Sequence, residues 1–369
     1  VQLEFPYTVY QALVIYLLLA IGWKGEELAH LEAQALGPVL GFMLTGFITN
    51  FFIGIIAYFL LSILTKMRRI DKATVAGYYG SDSAGTFAIC AGVLTLSTIP
   101  FDTYMPVMLA VMEIPGCLVA LYLVSRLRQS GMDALGNMPD EPGYAPRATR
   151  RIAPTSHGHV DPDIEEVKKL SLETMEHPDE ETSVAPPKRN AGIFSKKLLH
   201  EVFLNSELYL LFGGITIGFI SGLQGVKVTK DDDKLFIDLF QGILCLFLLE
   251  MGMTASCKLK DLKTAGAGYI AYGLLAPNLF APIGIVIAHI YSMLTGTHFA
   301  PGTYVLFAVL CGAASYIAVP AVQRLAIPEA SPTLPLAASL GLTFSWNMTI
   351  GIPIYIEIAS AIQHLWPIR

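Results

Sequence analysis

Charge is what this sequence has least of. Asp, Glu, Lys and Arg make up only 15% of its 369 residues, against about a quarter in ordinary soluble domains. Between Thr264 and Gln323 there is none at all. A bilayer crossing needs about 20 mostly apolar residues, so that stretch holds two spans and a short loop. A globular cytosolic enzyme is excluded. No G-x-x-x-x-G-K-[ST] phosphate loop occurs, which argues against ATP-driven transport by this chain alone. The five cysteines, Cys90, Cys117, Cys245, Cys257 and Cys311, are scattered through or beside apolar segments without metal-binding spacing. They read as small apolar packers, and no transition-metal site is expected. A formal net charge of -6 leaves no basic footprint for nucleic acid. No removable signal peptide is apparent, and the start at Val1 suggests a trimmed N-terminus.

What is present is apolar, 53% of the chain. Hydrophobic runs predict an all-α polytopic membrane protein with spans at roughly 6–23, 37–65, 72–98, 104–125, 204–225, 235–256, 264–290, 302–323 and 333–360. Residues 127–200 are polar, rich in Pro, Ser and both charge signs. They are expected to form a mostly disordered linker, since they cannot bury enough apolar surface to offset ordering. The chain thus divides into a first membrane repeat at 1–126, the linker, and a second membrane repeat at 201–369. Lys66, Arg68, Arg69, Lys72, Arg126, Arg128, Lys196, Lys197, Lys258, Lys260, Lys263 and Arg324 all fall on one side if the spans alternate. That side, with the linker, is expected to be cytoplasmic. Lys227, Lys230 and Lys234 are exceptions, accompanied by Asp231 to Asp233.

Weak repeats relate the two blocks: LLAIG at 18–22 with LLEMG at 248–252, GSDS at 80–83 with GAAS at 312–315, and Ile-Pro at 114–115 with 352–353. Their order and the alternation of spans suggest inverted halves. Span 204–225 has no partner in the first half, so a first helix is expected before Val1, completing a five-plus-five plan.

Two stretches break the apolar pattern from within a span: AGYYGSDSAGTF at 76–87 and LCGAASYIAVP at 310–320. Gly weakens a helix, and Ser and Asp offer the backbone competing hydrogen bonds. Both spans are predicted to be interrupted helices crossing near the midplane. Irregular backbone at that depth survives only against protein or a watery cavity. The half-helices starting near Gly85 and after Ser315 would point their N-termini at each other, and such ends attract a small anion. Freed carbonyls, Ser hydroxyls and the Asp82 carboxylate are candidates to hold a cation beside it. The structural alternative is that small residues merely let helices pack closely.

Among intramembrane acids, Glu113 in VMEIPG is the best functional candidate, for proton or ion coupling. Glu250 reads as a structural partner, and Glu357 lies near a predicted outer end. Thr343, Asn347 and Thr349 line the site or join helices by hydrogen bonds; both readings stand. His289 reads as packing.

At these motifs the chain resembles the cyanobacterial SbtA-type sodium-dependent bicarbonate transporters. The resemblance runs from about Val1 to Ile362. It is carried by YGSDSAGTFA (79–88), VMEIPG (111–116), LEMGMTAS (249–256), VPAVQRLAIPEASP (319–332) and SLGLTFSWNMTIGIPIYI (339–356). It implies bicarbonate and Na+ as cargo, no other cofactor, a plasma-membrane homotrimer, and regulation by a PII-like protein, SbtB, at the cytoplasmic face. It maps the substrate loops to Gly80 through Thr86 and to Ala314 through Ala318. The substrate residues are then Gly80, Ser83, Ala84, Gly85, Thr86, Ser315, Tyr316 and Ile317. Those assigned to sodium are Ser81, Asp82, Ala314, Thr343 and Asn347. The chain departs from the family pattern in having Tyr316 where members carry an Asp, Gly85 where they carry a Ser, and Asp82 where they carry an apolar residue. The acid is therefore hypothesised to have moved across the site.

The function expected is sodium-coupled import of bicarbonate by alternating access, without enzymatic activity. The alternatives are transport of another small anion, proton coupling through Glu113, or, from other classes, a membrane enzyme or a ligand sensor. If the displaced acid serves sodium, Asp82→Asn should weaken the sodium dependence of uptake, and unchanged dependence would remove Asp82 from that role.

Overall fold

The computed structural model describes residues 6–23, 25, 36–145, 206–261 and 266–367. The chain start at Val1, the linker beyond Ala145, and Lys24, Lys196, Lys197 and Lys263 lie outside the described residues, as do the side chains of Lys258 and Lys260.

The protein is an all-α polytopic membrane protein. Its first helices are α1 (Tyr7–Trp23), α2 (Leu36–Leu64), α3 (Arg69–Tyr79), α4 (Ala84–Leu96) and α5 (Met105–Gln129). After the linker come α6 (Ser206–Gln224), α7 (Val226–Asp233), a π-helical turn (Lys234–Asp238), α8 (Phe240–Asp261) and α9 (Ala267–Thr295). The last group is α10 (Pro301–Gly312), α11 (Ala318–Ala326), α12 (Thr333–Ala338) and α13 (Ile352–Leu365). Among the described residues, four helical stretches are long and apolar enough to cross a membrane: Gly37–Leu64, Met105–Gln129, Lys234–Ser256 and Ala267–Thr295. Leu40, Leu44, Phe52, Phe59 and Ile63 on α2 remain exposed. An apolar face turned outward suits lipid, not water.

Both expected interruptions are present. The helices α3 and α4 contain 11 and 13 residues, or about 16 and 20 Å at 1.5 Å per residue. Neither crosses ~30 Å of hydrocarbon alone, but together they do. The same holds for α10 and α11, 12 and 9 residues long. The second break is longer than expected, because α11 starts at Ala318 and not directly after Ser315.

The two broken helices are antiparallel. The start of α3 lies beside the end of α11, where the Ser331 amide donates to Asp71 Oδ1 at 2.8 Å. The end of α4 lies beside the start of α10, where the Gly302 amide donates to Pro100 O at 2.8 Å. At the middle, the Ser315 amide donates to Tyr78 O at 2.9 Å. Around this pair, α2 and α5 pack on α3, while α9 and α13 pack on α10. The final span differs from expectation. It reaches α13 through two π-helical turns, Ser339–Phe344 and Asn347–Gly351. Such turns leave intrahelical bonds displaced and re-aim side chains.

The helix α5 runs on past the expected start of the linker. The basic residues Arg126 and Arg128 fall in the last turn of α5, where they suit the helix dipole and extend the helix to Gln129. Residues 130–145 then form a hydrogen-bonded loop. Asp133 accepts from the amides of Leu135, Asn137 and Ala145 at 2.8–2.9 Å. Glu141 accepts from the amides of Arg69 at 2.7 Å and Met138 at 2.8 Å, and Arg69 pairs with Asp140. Arg68 holds Asp71 through two nitrogens at 2.7 and 3.0 Å and reaches Leu135 O at 2.9 Å. Arg128 pairs with Glu329 at 2.8 Å and also donates to Ala326 O at 3.0 Å. This network ties the start of α3, the end of α11 and the start of the linker together.

Partial burial pushes the Asp133 carboxyl up, but the amides of Ala145, Asn137 and Leu135 together outweigh it and hold it below its ordinary value. The bonds of this depressed carboxylate are fully present above its ordinary value, about 3.9, and are lost as pH falls through the lower folded value. The protection of the amides of Leu135, Asn137 and Ala145 against hydrogen exchange, relative to their intrinsic rates, should therefore fall on acidification below pH ~4, and at neutral pH in Asp133→Ala. Asp71→Ala, which strands the Arg68 guanidinium and the Ser331 amide, should lower stability in detergent by about 2 kcal/mol in an equilibrium unfolding measurement.

Candidate binding site at the crossing of the broken helices

The residues picked out from sequence converge at the crossing. Gly80, Ser81, Asp82, Ser83, Ala84, Gly85 and Thr86 are all buried, and so are Ala314, Ser315 and Tyr316; Ile317 is half-buried. Asp82 is fully buried. Cys311 on α10 lies within electrostatic reach of it. The two serines have a shared local role. Ser83 Oγ accepts from the Thr86 amide at 3.3 Å and from its hydroxyl at 3.1 Å. Ser315 Oγ accepts from the Val319 amide at 3.4 Å. Each serine therefore covers an amide at the start of the following half-helix, where no intrahelical acceptor exists. The starts of the two helices lie close together, since Ala84, Gly85 and Ile317 line one small cleft, and a helix start carries partial positive charge.

Ser81 donates to Glu113 O at 2.6 Å, which brings α5 and its buried Glu113 side chain against the first break. Thr343 and Asn347 reach the crossing from the π-helical turns. The Thr343 hydroxyl bonds the Tyr79 hydroxyl at 2.7 Å and donates to Gly273 O at 2.9 Å. Asn347 donates to Gly312 O at 3.1 Å and accepts from the Tyr355 hydroxyl at 2.8 Å. Both thus make the helix-joining bonds that were one of their two readings, and they sit directly behind the two breaks. Other candidates stay apart. Glu250 is half-buried and accepts from Thr254 at 2.9 Å, as a structural partner does. Glu357 is exposed, and Thr349 bonds Ser345 O on its own segment at 2.8 Å. His289 is buried at the far end of α9, beside Tyr304 and Trp366.

Several residues of the site were not picked out in advance. Asn50 on α2 is fully buried and donates to Met112 O at 2.9 Å. Gln323 donates from α11 to Thr74 O on α3 at 3.1 Å. Polar side chains within apolar spans mark such positions, and Asn50 in FITNFF carries that signal. Phe247 and Phe344 carry none. The first break is seated by glycines. A Cβ at Gly80 would come 2.9 Å from Gly54 Cα and 3.0 Å from Gly116 Cα, so α2, the break and α5 meet backbone to backbone.

The family comparison accords with this geometry. A profile described as the Na+-dependent bicarbonate transporter superfamily matches residues 1–360. The chain belongs to that superfamily. The match spans both broken helices, the glycine contact and the π-helical turns. Membership makes the protein a transporter by class, with sodium and bicarbonate as the solutes of the family. A comparison with curated proteins returned no match.

At Gly116 a Cβ would collide with Gly77 O, the Ser81 hydroxyl and the Gly80 carbonyl carbon. Two of the three are backbone and cannot turn aside. Gly116→Ala should therefore lower detergent stability by about 2–3 kcal/mol and abolish uptake, read by thermal unfolding and by flux.

Proposed function

We propose that the protein imports bicarbonate with Na+ by alternating access, using the crossing of the two broken helices as its binding site. The observation that carries this reading is the antiparallel meeting of the breaks, sealed by the Ser315-to-Tyr78 bond. It brings the N-terminal ends of α4 and α11 to one buried place. A small oxyanion suits such paired ends, because oriented amides supply donors and positive potential without a full buried charge. Gly80, Ser83, Ala84, Gly85, Thr86, Ser315, Tyr316 and Ile317 are assigned to the anion. Asp82, Ser81, Ala314, Thr343 and Asn347 are assigned to sodium, whose hard oxygen preference suits a carboxylate, hydroxyls and carbonyls.

Coupling has an energetic reason. An anion entering a cell that is negative inside is opposed by about 2.3 kcal/mol per 100 mV. One Na+ moving with it cancels the electrical cost. Each tenfold sodium gradient then supports about a tenfold accumulation, ~1.4 kcal/mol.

The broken helices running in opposite directions support the reading of two inverted halves. Alternating access then moves the crossing elements against α1, α6 and α8. We further assign the protein to the plasma membrane as a homotrimer. The Arg68 end and the linker 127–200 are assigned to the cytoplasm, where a PII-like SbtB partner would act. Glu113 favours a second reading, proton coupling, because it is buried and its own carbonyl anchors the first break.

Labelled bicarbonate should accumulate in proteoliposomes under an inward sodium gradient and not under a potassium gradient. Ser83→Ala and Ser315→Ala, each removing a cap worth about 1 kcal/mol, should raise the apparent KM several-fold. Accumulation driven equally well by a proton gradient without sodium would favour Glu113 instead, and no uptake by folded, inserted protein would remove bicarbonate transport.

A further inference from the structure

One side chain of the second break ends on the backbone of the first. A Cβ at Gly85 would overlap the Tyr316 hydroxyl, and it would come 3.0 Å from Cζ and 3.1 Å from Cε1 of Phe247. Gly85 belongs to the first turn of α4, so the phenol oxygen stands against that turn. The ring is held from behind. It meets Phe344, in the first π-helical turn, edge to face at a centroid distance of 5.4 Å. Tyr316 is 6% exposed. A small apolar cleft lined by Ala84, Gly85, Ala88, Phe247 and Ile317 continues away from this point.

We propose that Tyr316 is the specificity-determining residue of the transporter, selecting a small planar oxyanion by size and by one hydrogen bond. The inference rests on the reading of this crossing as the anion site. The hydroxyl already fills the space that a single methyl at Gly85 would need, so an anion seated on the α4 amides has no room for a methyl on the same side. Bicarbonate and nitrate turn a third oxygen to that side, which the phenol can meet at hydrogen-bond distance, and formate turns a hydrogen there; acetate turns a methyl, which needs more room and makes no such bond. The phenol O–H is also a donor, and a hydrogen bond to an ionised acceptor away from water is among the stronger kinds. Phe344 backs the ring, and Phe247 lies beside its hydroxyl end.

The test uses the full chain in proteoliposomes, with labelled bicarbonate, an inward sodium gradient, and formate, nitrate and acetate as competitors. Tyr316→Phe keeps the ring and its stacking on Phe344 and removes only the hydroxyl. It should raise the bicarbonate KM about tenfold with little change in maximal rate. Tyr316→Ala should open the site, so that acetate competes at least tenfold better than in the unaltered protein. Gly85→Ala, which forces the phenol aside, should lose bicarbonate affinity, and adding Tyr316→Ala should restore part of it. A Tyr316→Phe protein with unaltered KM overturns the hydrogen bond. Unchanged exclusion of acetate by an active Tyr316→Ala protein overturns the size limit. If Tyr316→Ala does not fold, Tyr316→Phe decides the size limit by the same acetate competition, since it vacates the space of the hydroxyl. Absence of bicarbonate uptake by the unaltered protein is a separate outcome, which overturns the transport reading and this inference with it.

Discussion

The structure depends on one requirement: every backbone amide and carbonyl at membrane depth must find a partner within the protein. Two interrupted helices breach the usual solution twice, and each break repairs the other. Tyr78 O, near the end of α3, accepts the Ser315 amide from the second break. Gly312 O, at the end of α10, accepts Asn347 from the final span. Ser83 and Ser315 cover amides at the two restarts. The donors left over lie at helix N-termini, where an anion can take them. The same bonds that make the breaks tolerable thus bring the starts of α4 and α11 near one another.

Close approach is the second layer of this arrangement. Gly54, Gly80 and Gly116 bring three backbones into contact. Without a water-driven hydrophobic force between helices in lipid, such contact is a main source of cohesion. Bulky rings do the opposite work on the other side of the crossing. Phe247, Tyr316 and Phe344 fill the space over α4. The crossing therefore has glycine backbone on one side and aromatic side chains on the other.

Among the described residues the ion pairs lie away from the crossing, which holds Asp82 and Glu113. Arg68, Asp71, Arg128 and Glu329 gather where α3 starts and α11 ends. Asp71 joins the two broken helices through Ser331, and the loop at 130–145 joins the linker to the same place. These bonds tie the two broken helices and the loop together at their polar end.

The sequence by itself determined the all-α membrane class, most span positions and both breaks. Each of these follows from composition within a few neighbouring residues: apolar runs long enough for a bilayer, or Gly, Ser and Asp where a helix needs continuity. The burial of Asp82 and the amide-covering bonds of Ser83 and Ser315 accompany those breaks. The π-helical turns were not, because SLGLTF and NMTIG contain nothing that local propensity separates from an ordinary helix. The first stretch of the linker was not either, since its order comes from Arg68 and Arg69 holding it and not from its own apolar content. Only the tertiary structure decided that Thr343 would bond Tyr79 across 264 positions and Gln323 would bond Thr74 across 249. It alone set the Tyr316 hydroxyl on Gly85. Such contacts depend on how whole helices cross, and the energy that sets a crossing is spread over many packed side chains, none of which announces its partner in the chain.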